Sequence, residues 1–484
     1  MRCYKLKKQC PGYRDPLNVN ENKLGRKKRS SVVSTASSSN DAPGSSRPRS
    51  GITTSKHLSV PIDEQALCYF LSNFVITPHD NATGHLSFMV PLMRSEQCSA
   101  AFSLSLSAVS IAALGRRPNS RGLLAKANSF YVKALGEINL ALRDPELATH
   151  DSTLAAVVLL VFFETLTSAG GMKAWSSHME GAIALVKFRG REQHMSQMGR
   201  DLFATVRKQA MAYYAASSPS IDYGVDWHAQ PLDSEVEQAI YELDFRAAEL
   251  RHETKAVIPF ATRSDEGVEK VLRLLKRAQA LQQAYADWID SLPPSWRAGT
   301  AAWIEEVPQE KLQHASAYPG LVRSYRDITT AADYVSGLAT RLQIFIPILR
   351  CVAWLNPLLD YKITPEYLVA ARLSRQIIAD IIASVPYFCG WSKEAESPSP
   401  EITKFHSADA VTAKGVTGMF IMAPIFTAAT SDFVSSPQQT WLLGRLEYIE
   451  NSMGISHAGL LASVLITQVF TQSVFPSINF DLHG

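Results

Sequence analysis

The chain has 484 residues, 46% of them hydrophobic and 19% charged, which is enough apolar material for a large core and too much for a wholly disordered chain. Its formal net charge of +3 hides an asymmetry, because residues 1–56 carry 13 Lys/Arg against 3 Asp/Glu and the remainder carries 35 against 42. The first residues are basic and polar, so no signal peptide is expected, and the longest fully apolar run, Leu154 to Phe163, is too short to span a bilayer, so no membrane partner is expected.

A basic arm on a mildly acidic body points to a polyanion or a nuclear import receptor as the arm's partner. Cys3 and Cys10 open the chain, separated by Lys5, Lys7 and Lys8. Residues 14–58 follow, with Arg26-Lys27-Lys28-Arg29 and Ser-rich stretches such as Ser34 to Ser39. With almost no large apolar side chains, this segment cannot offset its ordering entropy and reads as a disordered linker. The Arg26–Arg29 cluster fits a nuclear localisation signal, so the expected compartment is the nucleus. Cys68, Cys98, Cys351 and Cys389 are expected to be buried thiols in a reducing compartment.

From about Val60 the pattern is helical. Pro61, Asp63 and Glu64 suit a first turn, and Leu67, Phe70, Leu71 and Phe74 recur at helical spacing. Helices are predicted over roughly 97–114 and 123–142. Asp151 reads as an N-cap before the apolar run to Phe163. Ser168 to Gly171 is a turn. The next helix puts Met172, Trp175, Met179, Ile183 and Val186 on one face and stops at Gly190. Further helices fit 234–254, 266–292, 323–353, 364–384, 407–430 and 437–452, and Leu460 to Phe475 reads as another buried helix. Pro293-Pro294 ends the stripe Val268, Val271, Leu275, Ala278, Tyr285, Ile289. Alternating strands with hairpin turns are nearly absent. The expected fold is all-α, a large multi-helix body behind a basic arm.

Residues 1–13, ending Cys10-Pro11-Gly12-Tyr13, resemble the C-terminal end of the fungal Zn2Cys6 binuclear zinc cluster. On that resemblance Cys3 and Cys10 match the fifth and sixth cysteines, and the chain is expected to start at an internal methionine inside the motif. Six thiolates hold two zinc ions in that family, and tetrahedral zinc needs four ligands, so two cysteines are expected to hold no zinc stably. The family's base-reading residues sit mainly in the missing half. Arg2, Lys5, Lys7 and Lys8 are left as phosphate contacts without sequence information.

The body resembles the fungal-specific transcription factor domain that follows such clusters. The resemblance rests on Leu154 to Glu164, then Trp175, His178, Gly181-Ala182, Leu185 and Arg189-Gly190. Asp287-Trp288 with Leu292 to Trp296, Ile381 to Gly390, Gly418 to Pro424, Trp441 and Met453 to Ala458 continue it. It implies three domains: a cluster remnant at 1–13, the linker at 14–58 and a regulatory domain at 59–484. It also implies a transcription regulator, with DNA, co-regulators, a small-molecule effector or a second copy as partners. Read physically, the same residues are packing: Trp175 fills core, Gly181-Ala182 admits a neighbouring helix, Glu164 pairs with Arg189 or a helix N-terminus, and His178 is a satisfied structural histidine.

No phosphate loop, dinucleotide fingerprint, zinc-protease or nucleophile-elbow motif occurs, and Ser456-His457 are adjacent residues that do not face each other on a helix. No enzyme is expected. The rival readings are a helical interaction partner that does not bind DNA, and a small-molecule-binding protein.

Overall fold

The computed structural model describes residues 60–474, apart from 78–83, 96–97, 118, 218–220, 223, 231, 233 and 392–413. Helix α1 (Ile62–Phe74) carries Asp63 and Glu64 in its first turn, and Phe70 stacks on Phe74 at 5.5 Å, one helical turn apart. An isolated bridge between Ile76 and His85 closes the segment before α2 (Met89–Arg94). Ser99 caps α3 (Ala100–Gly115), accepting from the Phe102 amide at 3.2 Å, and α4 (Leu123–Ala141) returns against α3. A short α5 (Pro145–Thr149) leads to α6 (Asp151–Thr167).

Every residue of α6 from Ser152 to Leu166 is buried. A helix apolar on all sides must be surrounded, and α3, α4, α7 (Gly171–Arg189), α8 (Gln197–Ser217) and α15 (Ser456–Val474) pack on it. Each fully buried Leu or Phe there contributes roughly 1.5–3 kcal/mol. Trp175 of α7, half-buried, meets His457 of α15 at 5.6 Å, so the α6–α7 layer is completed from the far end of the described chain.

The second layer surrounds α11 (Ile328–Leu355), which packs against α9 (Glu235–Val257), α10 (Asp265–Ser291), α12 (Pro365–Phe388) and α13 (Gly415–Ala429). By length and composition α11 is the one helix among the described residues able to cross a membrane, yet more than half of its apolar window is buried against these neighbours. Helix α14 (Ser436–Met453) opens with a capping box between Ser435 and Gln438 and packs on α13 and α15.

Several expectations are corrected. The connection from α10 to α11 holds two antiparallel strands, β1 (Gly299–Ile304) and β2 (Gly320–Ser324), pairing Trp303 with Leu321. A long connection with a 3-10 turn joins them instead of a two-residue hairpin, so the usual turn signal is missing. The helix expected from 323 starts at Ile328, because Asp327 caps it by accepting from the Thr330 amide at 2.8 Å. Helix α8 was not anticipated, although Leu202, Val206, Ala210 and Tyr213 recur at helical spacing and are buried. Met172 is exposed at the start of α7 and does not join its apolar face. Of the four cysteines among the described residues, Cys351 is buried, Cys389 is half-buried, and Cys68 and Cys98 face solvent, on the outer side of α1 and just ahead of α3.

Candidate functional site

The residues singled out from the sequence, Arg2, Cys3, Lys5, Lys7, Lys8, Cys10 and Arg26, Lys27, Lys28 and Arg29, lie outside the described residues, as does part of the helix expected over 407–430. Among the described residues, no group of three His, Cys, Asp or Glu side chains stands close enough to hold a metal ion.

The α6–α7 segment is locked by polar contacts. His150, not Asp151, caps α6, its Nδ1 accepting from the Ser152 amide at 3.3 Å. Asp151 instead forms an ion pair with Arg189 at the end of α7, tying the start of one helix to the end of the next. Glu164 therefore does not meet Arg189. It is buried, and its Oε2 accepts from the Gly170 amide at 3.0 Å, at the N-terminus of α7. Tyr131 of α4 hydrogen-bonds His178 Nε2 at 2.9 Å, and burial together with the neighbouring Glu164 carboxylate pushes its phenol well above the usual range. Burial lowers His178, against the pull of Glu164. Gly181 is not a forced close approach, since a Cβ there would only touch Val157 at 3.9 Å; Ala182 is the fully buried member of the pair. At the other end, burial takes the His457 imidazole down to about 4, which keeps it neutral beside Trp175.

A second polar cluster lies where α8, α9, α10, α11 and α13 converge. Lys208 Nζ meets Asp333 Oδ1 at 2.9 Å and lies 6.0 Å from the Phe420 ring centroid. Burial would lower its ammonium pKa, but Asp333, Glu237 and Asp244 together raise it. Half of its side-chain surface (52%) is nevertheless accessible, so Lys208 reaches solvent at this junction. Tyr285 donates to Asp244 Oδ1 at 2.6 Å. Burial raises the Asp244 carboxyl to about 6, opposed by hydrogen bonds from Tyr285 and Thr340, with Asp333 reinforcing and Lys208 opposing. His85, edge-on to Phe420 at 5.1 Å, is driven down to about 3 by burial and by Lys208. Lys208 is paired, Asp244 is hydrogen-bonded and His85 is held neutral, an arrangement that ties α8, α9, α10 and α11 together. Apart from it, Gln279, Gln282, Phe345, Ile348, Glu366 and Leu373 line a cleft of about 330 Å³ between α10, α11 and α12.

Residues 66–215 match the family model described as the fungal specific transcription factor domain. The match runs from α1 through α8 and contains the α6–α7 segment on which the resemblance rests. Over that segment the chain is similar to the fungal specific transcription factor domain. It is also similar to Transcription factor dbaG of Emericella nidulans, at 20% identity over 411 residues, 83% of this chain and 91% of that protein. No solved structure matches.

Proposed function

We propose that the protein is a fungal transcription regulator that acts in the nucleus, its helical body serving as the regulatory domain and its arm carrying the import signal and two cysteines of a zinc-cluster motif. The observation that carries this reading is the family match over 66–215, on the segment held by the polar contacts Asp151–Arg189, Glu164–Gly170 and Tyr131–His178. The relative named a transcription factor, aligned over most of both chains, supports it. In the complete family form, Cys3 and Cys10 would be two of six thiolate ligands, and zinc would supply the folded frame for base contacts. The described body adds no ligand set for such a metal.

The test has two arms. The tagged chain should accumulate in nuclei, and Lys27→Ala/Lys28→Ala should disperse it. Residues 60–484 tethered to an unrelated DNA-binding domain should change transcription of a reporter carrying that domain's site. A cytoplasmic wild type together with a silent tether would overturn the proposal.

A further inference from the structure

Arg251 and Lys255 stand one turn apart on α9, and Gln343 and Arg350 stand two turns apart on α11, so each pair shares one helical face. A hydrogen bond from Arg251 Nη1 to Gln343 joins the faces, and Gln343 Nε2 donates to Thr427 Oγ1 of α13 at 3.1 Å. Arg350 Nε is buried and has no hydrogen-bond partner. Among the described residues, no carboxylate forms an ion pair with Arg251, Lys255 or Arg350. Ile346, between Gln343 and Arg350, is 49% exposed, so this end of the α9–α11 seam opens to solvent.

Three cations gathered without a counter-charge repel one another and lose hydration, a cost that a bound anion would reverse. The electrostatics agree: burial and Arg350 take Arg251 down to about 10, and burial with both arginines lowers Lys255. Lys208 and Arg189 each have a carboxylate, and the buried Arg207 and Arg445 donate to backbone carbonyls. Guanidinium groups suit the planar, bidentate geometry of a carboxylate or phosphate, and a lysine adds a point charge.

We propose that Arg251, Lys255 and Arg350 form a binding site for the oxyanion group, carboxylate or phosphate, of a small molecule, with Gln343 and Thr427 orienting Arg251. The inference goes beyond the transcriptional reading and does not depend on it. The seam lies between α9, α11 and α13, all outside the family-matched segment.

The full chain would be titrated with inorganic phosphate and, separately, with succinate, against chloride at matched ionic strength, by calorimetry and thermal unfolding. At least one of the two anions should bind saturably and raise the melting temperature, and the one that binds more tightly names the ligand class. Arg350→Gln and Lys255→Gln should weaken that binding at least tenfold, while the exposed Lys276→Gln should leave it unchanged. Without anion, Arg350→Gln should melt at or above the wild-type temperature, because a repulsion has been removed; this separates a lost site from a lost fold. Absence of saturable binding by both anions, or equal binding by Arg350→Gln and wild type, would overturn the proposal.

Discussion

Replacing Asp244 with Asn removes a charge from the α9–α10–α11 junction while keeping the side chain's shape. Tyr285 still finds an oxygen to donate to at the Oδ1 position, 2.6 Å away in the wild type. The wild-type carboxyl titrates at about 6 in the folded chain against an ordinary 3.8, with burial the main cause. A raised carboxyl pKa means that the folded chain keeps its proton longer than the unfolded chain. Its stability contribution is therefore fully present below pH 3.8 and is lost as the pH rises through 6. The gap is worth about 3 kcal/mol, of which roughly 1–1.5 kcal/mol falls between pH 5 and 8. Urea unfolding of wild type and Asp244→Asn across that range should show the variant gaining on the wild type by that amount, then levelling above pH 7. Groups elsewhere that titrate equally in both chains cancel in the difference. The groups facing Asp244 (Tyr285, Thr340, Asp333 and Lys208) are the same in both proteins. A stability difference that stays flat from pH 5 to 8 would refute the assignment of a strained buried carboxylate.

Arg189→Ala should cost roughly 3 kcal/mol, since it strands Asp151 at the start of α6; Arg189→Lys should recover part of that, and both are read by urea unfolding. Gly444→Ala should cost about 1–3 kcal/mol by the same measurement, because a methyl group there would overlap the Gln313 carbonyl, backbone against backbone.

The helical body was legible because its signals are local. Apolar residues at 3.6-residue spacing, Asp63 and Glu64 in a first turn, and Pro293-Pro294 after a stripe each act within a single element. The hairpin was not legible, because Gly299–Ile304 is largely exposed, Gly320–Ser324 buries only Val322, and a long excursion joins them. Asp151 shows how a local rule loses to a distant partner: it has the chemistry of a cap, but Arg189, 38 residues on, claims it and leaves the capping to His150. The cluster of Lys208, Asp244, Tyr285 and Asp333 draws on four helices, with Lys208 and Asp333 separated by 125 residues. No spacing rule reaches that far. Of the three cations along the α9–α11 seam, the Arg251 and Lys255 pair sat one turn apart in plain view, but its meaning required Arg350 from another helix.

The contact of Trp175 with His457 limits how the molecule can be dissected. A fragment ending at residue 215 would retain the whole family-matched segment and yet lack α15, leaving part of the buried helix α6 without its cover. Such a fragment would tend to self-associate through that bare face, and any binding measured on it would report stickiness before it reported regulation. Exchanges between relatives should therefore move the two ends of the body together.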